Sequence, residues 1–406
     1  MAEVVRNIRV KLNIPESGHS AVDQTFEEFR QAAQHVADYG WSDDPDHLVK
    51  AKNKLHDATY TEVREQTTLQ SSLVQSARNL AATALGNCKD LLDDDKQTSK
   101  PEFRGSVIVY NGRTITYNDD HVTLATTGER VTAEYVLPHD NEGTPFEEYW
   151  NEDVWEKREA TLHKRNGEYY LHVAVEKDVE SITDEQTENG VVLGVDLNVD
   201  GYLAVTSTGA FLGNAEELNH KRDEYERRRG HLQQTGTRSA HLTIQSIGDR
   251  FAEWSCHRLH AVSNGIVREA LENDCTHIAF ERLTWIWTRI SNASKFQQWA
   301  FREIKRQVEY KAEAHGIEVD TVAPQYTSQR CSHGECGFTH EDNRDGDEFE
   351  CLKCGKELHA DYNAARNVAW RLVQNWLKSG SGRATSQLAL KSGTVNANGD
   401  FNASAV

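Results

Sequence analysis

The chain has 406 residues, 37% of them hydrophobic, and a formal net charge of −19, enough for two or three domains around a sizeable core. No apolar run approaches the roughly 18 residues of a membrane span, and the opening M-A-E-V-V-R-N-I-R-V lacks the apolar centre of a secretion signal. A cytoplasmic protein with no membrane partner is therefore expected, its paired cysteines reading as metal ligands rather than disulfides.

The charge is uneven: residues 1–219 carry 20 basic and 40 acidic side chains, residues 220–311 carry 16 and 11, and residues 312–406 carry 9 and 13. One basic segment thus sits inside an acidic protein. The excess of Asp and Glu and the single Met read as a halophile's composition. In molar salt the Debye length falls to about 3 Å, so the overall negative charge does not bar a polyanionic partner.

In chain order, residues 4–14 alternate apolar and polar and read as a strand closed by Pro15. Residues 20–90 read as helical. Phe26, Phe29, Ala33, Val36 and Ala37 mark the first helix, a second is expected at Asp44–His56 with Asp44 as N-cap, and a third near Thr61–Ala82. From Gly105 to Glu176 the pattern turns to strands. Hairpins are expected at Asn111-Gly112, Thr127-Gly128 and Asn166-Gly167, giving a β barrel or sandwich. Residues 178–190 read as a polar linker.

At Val191 a new unit opens: V-V-L-G-V-D-L-N-V-D-G-Y-L-A-V-T-S-T-G-A-F-L, three strands joined at Asp200-Gly201 and Thr208-Gly209. Asp196 is the one acid inside an apolar strand, costly to bury unless it is paired or holds a metal; Asp200 reads as a turn residue. Helices follow at about Glu216–Arg229, Leu242–Asn264 and Gly265–Glu272. The first bears Arg222, Arg227, Arg228 and Arg229, either a solvated face or a phosphate-binding one. Glu281 ends the short apolar strand of T-H-I-A-F-E. Trp285, Trp287 and Trp299 follow among basic residues, as core or as base-stacking platforms.

Cys331, Cys336, Cys351 and Cys354 then form two close pairs, each followed by glycine. Zinc takes four tetrahedral thiolate or imidazole ligands, and two such knuckles supply them. Asp361 follows at the start of a helix reaching about Lys378. Residues 379–406 are small and polar and read as a disordered tail.

P-Q-Y-T-S-Q-x-C…C-G…F-x-C-x-x-C-G…A-D-x-N-A-A-x-N resembles the OrfB/TnpB proteins of insertion sequences, relatives of type V CRISPR effectors. The resemblance departs at the first knuckle, C-x4-C where the family usually has C-x2-C, so His333 is an alternative zinc ligand there. The composition adds a haloarchaeal source. The resemblance implies an α/β protein whose RNase H-like (RuvC) nuclease domain, residues 190–323 and 359–378, is interrupted by a zinc ribbon at 324–358. A β-rich wedge-like domain, residues 1–19 and 99–180, would carry a helical recognition lobe at 20–98. It further implies that Asp196, Glu281 and Asp361 are catalytic and hold two Mg²⁺, whose hard-oxygen preference separates them from one zinc on the cysteines. The implied partners are a guide RNA from the transposon end and target double-stranded DNA. The implied activity is RNA-guided DNA cleavage by two-metal hydrolysis. A non-catalytic, RNA-guided DNA-binding regulator of the same descent is the alternative, and a guide-free zinc-ribbon DNA-binding protein is a third reading.

Overall fold

The computed structural model describes residues 2–138, 145–150, 154–179, 190–282, 295–379, 387–388, 393–395 and 401–403. The chain divides into two compact units, Glu3–Asp178 and Val179–Val406 with Met1–Ala2.

In the first unit β1 (Ala2–Asn13) is followed by three helices, α1 (Glu16–Gly40), α2 (Lys52–Gln66) and α3 (Ser71–Asp93). Phe29, Ala33, Leu55, Leu73, Ala81 and Leu85 are buried among them. The second helix starts later than expected. Asp44 caps only one turn, its carbonyl accepting from His47 and Leu48 and its side chain from Asp46 N, and the chain is extended again at Ala51. The expected third helix is divided at Thr67, whose extended backbone ends α2, and the Thr68 amide donates to Glu28 of α1.

The strands are β2 (Val107–Tyr110), β3 (Ile115–Tyr117), β4 (His121–Leu124), β5 (Val131–Val136), β6 (Glu156–Arg165) and β7 (Glu168–Val179), with the short α4 (Pro145–Tyr149) before β6. They form one sheet with β1, ordered β2-β6-β7-β1-β5-β4-β3. Two expected hairpins are present. Leu124 pairs Val131 across the Thr127-Gly128 loop. Arg165 pairs Glu168 across Asn166 and Gly167, at φ 50° and 82°, the left-handed pair that a type I′ turn requires. The Asn111-Gly112 hairpin is absent: β2 pairs β6 and β3 pairs β4. Asn111 uses its carbonyl on Thr114 and Ile115 and its side chain on Arg113 instead, and the flanking strands pair elsewhere.

In the second unit β8 (Val191–Leu197), β9 (Ala204–Thr206), β10 (Phe211–Leu212), β11 (His277–Glu281) and β12 (Glu318–Val322) are ordered β10-β9-β8-β11-β12. The first three are antiparallel neighbours; β8–β11 and β11–β12 are parallel. One face packs on α5 (Ala215–Thr235), α6 (Arg238–Glu272) and α7 (Lys295–Glu313) through Leu193, Val195, Ile278 and Phe280. The other face packs on α8 (Ala360–Ser379) through Val192 and Ala279 against Val368, Ala369, Leu372 and Trp376. The two helices expected at 242–272 are one, because Gly265 does not break α6. It admits Leu212, whose Cδ2 would lie 2.9 Å from a Cβ there.

Between β12 and α8 lie the cysteines and three short strands, β13 (Arg344–Asp345), β14 (Glu348–Glu350) and β15 (Glu357–His359). The tail, expected to lack structure, holds β16 (Gln387–Leu388), parallel to Val191–Val192, and a pairing of β17 (Gly393–Val395) with β18 (Phe401–Ala403). β9 covers only Val195–Leu197 on its side of β8, so the start of β8 keeps a free backbone edge that takes another strand. The expected 178–190 linker, Trp285 and Trp287 fall largely or wholly outside the described residues.

Candidate active site

Asp196 and Glu281 reach one place because β8 and β11 are parallel and in register. Phe280 pairs Val195, and each acid is the next residue, at or near the C-terminal strand end where open α/β sheets collect functional groups. Side chains alternate along a strand. Val195 and Phe280 face α6, so both acids face α8.

Asp361 arrives from α8, and Gly194 lets it. A Cβ on Gly194 would overlap the Ala365 carbonyl oxygen and stand 2.7 Å from Ala369 N, so the helix backbone rests directly on the strand. The helix runs against the strand direction, with His277 at the start of β11 packed on Trp376 near the helix end, ring centroids 4.7 Å apart. Asp361 is four residues before Ala365, about 6 Å of helix, and Asp196 is two residues past Gly194, about 6.6 Å of strand. The two carboxylates therefore meet at one level, beside the positive end of the helix.

Asp196 and Asp361 are 8% and 6% exposed. Burial, then the charges of Glu281 and Asp361, push the Asp196 carboxyl well above the usual range, against Arg344 and Asn198. Burial also raises Glu281, opposed by a hydrogen bond from Thr327 Oγ1 and by Arg371 and Arg344. Arg344 Nη2 lies 2.9 Å from Asp361 Oδ1. Among the described residues, Asp196, Glu281 and Asp361 are not one of the donor sets closed to within 4.8 Å, whereas Asp347, His359 and Asp361 are. Three converging carboxylates are a hard-oxygen set, and that chemistry fits Mg²⁺.

The four expected cysteines close into one group with all sulfurs within 4.8 Å, and His333 is not part of it. Cys331–Cys354 and Cys336–Cys351 sulfurs are 3.8 and 3.7 Å apart. A disulfide needs about 2.05 Å. A tetrahedral site with metal–sulfur bonds of about 2.3 Å has sulfur–sulfur edges of about 3.8 Å, so these thiols fit zinc. Burial opposes the Cys351 thiolate, but backbone donation from Cys354 and Lys353 brings its thiol down to about 7. Gly337 and Gly355 take φ 57° and 67°, turning the chain behind each knuckle.

The arginine cluster does not converge. Consecutive helical residues lie about 100° apart, so Arg227, Arg228 and Arg229 point different ways and only Arg222 and Arg229 share a face of α5. Arg228 pairs with Glu224 at 2.8 Å, Arg229 with Glu226 at 3.3 Å and Arg222 with Asp223 at 3.0 Å. Asp200 is an exposed turn residue. Arg344 and His359 carry no signal of a role in the sequence, and Thr327 stands in the P-Q-Y-T-S-Q motif with no role attached to it.

Residues 301–368 match the family model "Cas12f1-like, TNB domain". A CRISPR-associated endodeoxyribonuclease Cas12f1 of Sulfoacidibacillus thermotolerans is 35% identical over 219 residues, half of each chain. A TnpB-like protein of Aquifex aeolicus is 29% identical over 56% of this chain and 81% of its own. Sequence similarity thus places this chain beside TnpB-like and type V proteins, with the domain match confined to residues 301–368. The fold agrees over a longer span: the Cas12f1 chain of a Cas12f1–sgRNA–target DNA complex superimposes with a TM-score of 0.60 at 13% identity, covering 90% of this chain and 99% of that one. The alignment with the Sulfoacidibacillus relative spans only 50% of that protein's length.

Proposed function

We propose that this chain is a TnpB/type V family member and an RNA-guided DNA endonuclease with an RNase H-like centre formed by Asp196, Glu281 and Asp361. The observation that carries the reading is the register that sets Asp196 and Glu281 on adjacent parallel strands, with Asp361 brought onto them by α8. The resemblance of the fold to a chain solved with guide RNA and target DNA supports the partners, guide RNA and double-stranded DNA.

The three carboxylates would hold divalent cations, two Mg²⁺ in this reading. Such a pair supplies an activated water and stabilises the leaving 3′ oxygen of a phosphodiester. The chain's own residues do the rest. Burial under α8 keeps bulk water from Asp196. Arg344, beside Asp361, offers the guanidinium fork that suits phosphate oxygens. Cys331, Cys336, Cys351 and Cys354 would hold one structural zinc. The group lies between β12 and α8, so it fixes the segment that delivers both Arg344 and Asp361.

The test is purification of the protein from cells expressing its locus and sequencing of the RNA bound to it. One discrete RNA species whose variable end directs cleavage of a matching plasmid supports the reading. Protein that is free of RNA yet binds DNA refutes guidance.

A further inference from the structure

Glu281 ends on a residue that does not belong to the sheet. Thr327 Oγ1 donates a hydrogen bond to Glu281 Oε1. Thr327 is 3% exposed and lies in the Q-Y-T-S-Q stretch between β12 and Cys331. A threonine hydroxyl has one proton to give. Its other acceptor, the Pro324 carbonyl, is 3.4 Å away, so the proton goes to the nearer carboxylate.

Thr327 is itself fixed from behind. Its carbonyl accepts from Asn367 Nδ2 at 2.8 Å, and the same amide donates to the Arg330 carbonyl at 2.6 Å. Asn367 Oδ1 accepts from Arg330 Nη1 at 3.1 Å. One turn earlier on α8, Asn363 donates to the Arg330 carbonyl at 2.9 Å and accepts from Ser332 N at 3.0 Å. Both asparagines are buried. Tyr326, the residue before Thr327, holds φ 62°, a conformation that a bulky residue keeps only where its surroundings over-determine it. The helix that carries Asp361 therefore also clamps the loop that holds Glu281.

We propose that Thr327 is a positioning residue of this centre. Its hydroxyl fixes the Glu281 rotamer and leaves Oε2 for a cation, and Asn367 sets where that hydroxyl sits. The inference rests on the reading of Glu281 as a cation-holding acid. Thr327 acts through Glu281. Packing alone would make its methyl group important; positioning makes its proton important.

The test compares Thr327→Val, which keeps the shape and loses the donor, with Thr327→Ser, which keeps the donor and loses the methyl group. Mn²⁺ binding to the purified full chain is read by electron paramagnetic resonance, with Glu281→Gln defining background sites, and zinc content and melting temperature are recorded alongside. Loss of a hydrogen-bond partner behind a metal ligand typically weakens metal binding by about 10–100-fold. Thr327→Val should show a loss of about that size and shift the Mg²⁺ dependence of cleavage likewise, with zinc unchanged, while Thr327→Ser stays within about twofold of the parent on the same scale. If Thr327→Val does not fold, Thr327→Ala against Thr327→Ser makes the same comparison, the two differing only in the hydroxyl. Parent-like Mn²⁺ affinity in the hydroxyl-free variant, or equal loss in both members of the pair, overturns the proposal. Parent-like binding by Glu281→Gln refutes the underlying reading of the acids instead.

Discussion

Gly194→Ala isolates the contact that brings α8 onto β8. The new Cβ would overlap the Ala365 carbonyl and sit 2.7 Å from Ala369 N and 2.9 Å from Ala369 Cβ. Backbone atoms cannot swing aside as a side-chain tip can. Contacts between non-bonded heavy atoms settle near 3.5–4.0 Å, so the helix must lift by about 0.8 Å or more at this point. Overpacking of this kind costs about 1–3 kcal/mol, and here the upper end is expected because the obstruction is main chain. Asp361 is one turn away on the same helix and moves with it. Misplacement of a catalytic group by about 1 Å can cost about 10²-fold in rate. Gly194→Ala should therefore melt lower and cleave about 100-fold more slowly, with guide and target binding retained. Urea denaturation and single-turnover cleavage measure the two effects. A variant as stable and as fast as the parent would show that direct packing of α8 on the strand does not set the acid geometry.

Replacing Asp196 by asparagine tests the buried charge. A carboxyl held above its ordinary value contributes stability while neutral, below about pH 4, and loses it as pH rises toward the elevated value, at about 1.4 kcal/mol per pH unit. In chelator, Asp196→Asn should gain stability over the parent as pH rises from 4 to 8, and added Mg²⁺ should reverse the order; a difference that does not vary with pH contradicts the argument. Metal analysis of folded protein should find about one zinc per chain, retained by His333→Ala and lost by Cys351→Ser; less than half an equivalent would sink the assignment. If the basic segment of α5 meets nucleic-acid backbone, charge reversal at Arg222 and Arg229, which share a face, should lower the salt dependence of binding. An unchanged slope leaves those arginines as a solvated helix face.

Some of this site was legible in the sequence because of what each residue interrupted. Asp196 broke an apolar strand, and four cysteines stood out in a chain with seven. Glu281 carried no comparable signal; a glutamate at a strand end is ordinary until register sets it beside Asp196. The roles of Thr327, although it lies in the P-Q-Y-T-S-Q motif, and of Arg344 were not legible, because their partners Glu281 and Asp361 are 46 and 17 residues away in sequence. The errors share a cause, local signals that tertiary contacts overrode. Asn111-Gly112 looked like a hairpin, but β2 found its partner in β6. Gly265 looked like a helix end, but it makes room for Leu212.

Plasmid cleavage by the RNA-loaded parent and by Asp196→Ala, Glu281→Ala and Asp361→Ala tests the nuclease centre most directly. The account predicts cutting by the parent with Mg²⁺ or Mn²⁺ and failure with Ca²⁺, whose looser coordination misplaces the reacting groups. It predicts no cutting by any of the three variants, although each still binds RNA and target DNA. Cleavage by Asp361→Ala would contradict the three-carboxylate centre, and a parent that binds both nucleic acids yet never cuts would make the protein a guided regulator rather than a nuclease.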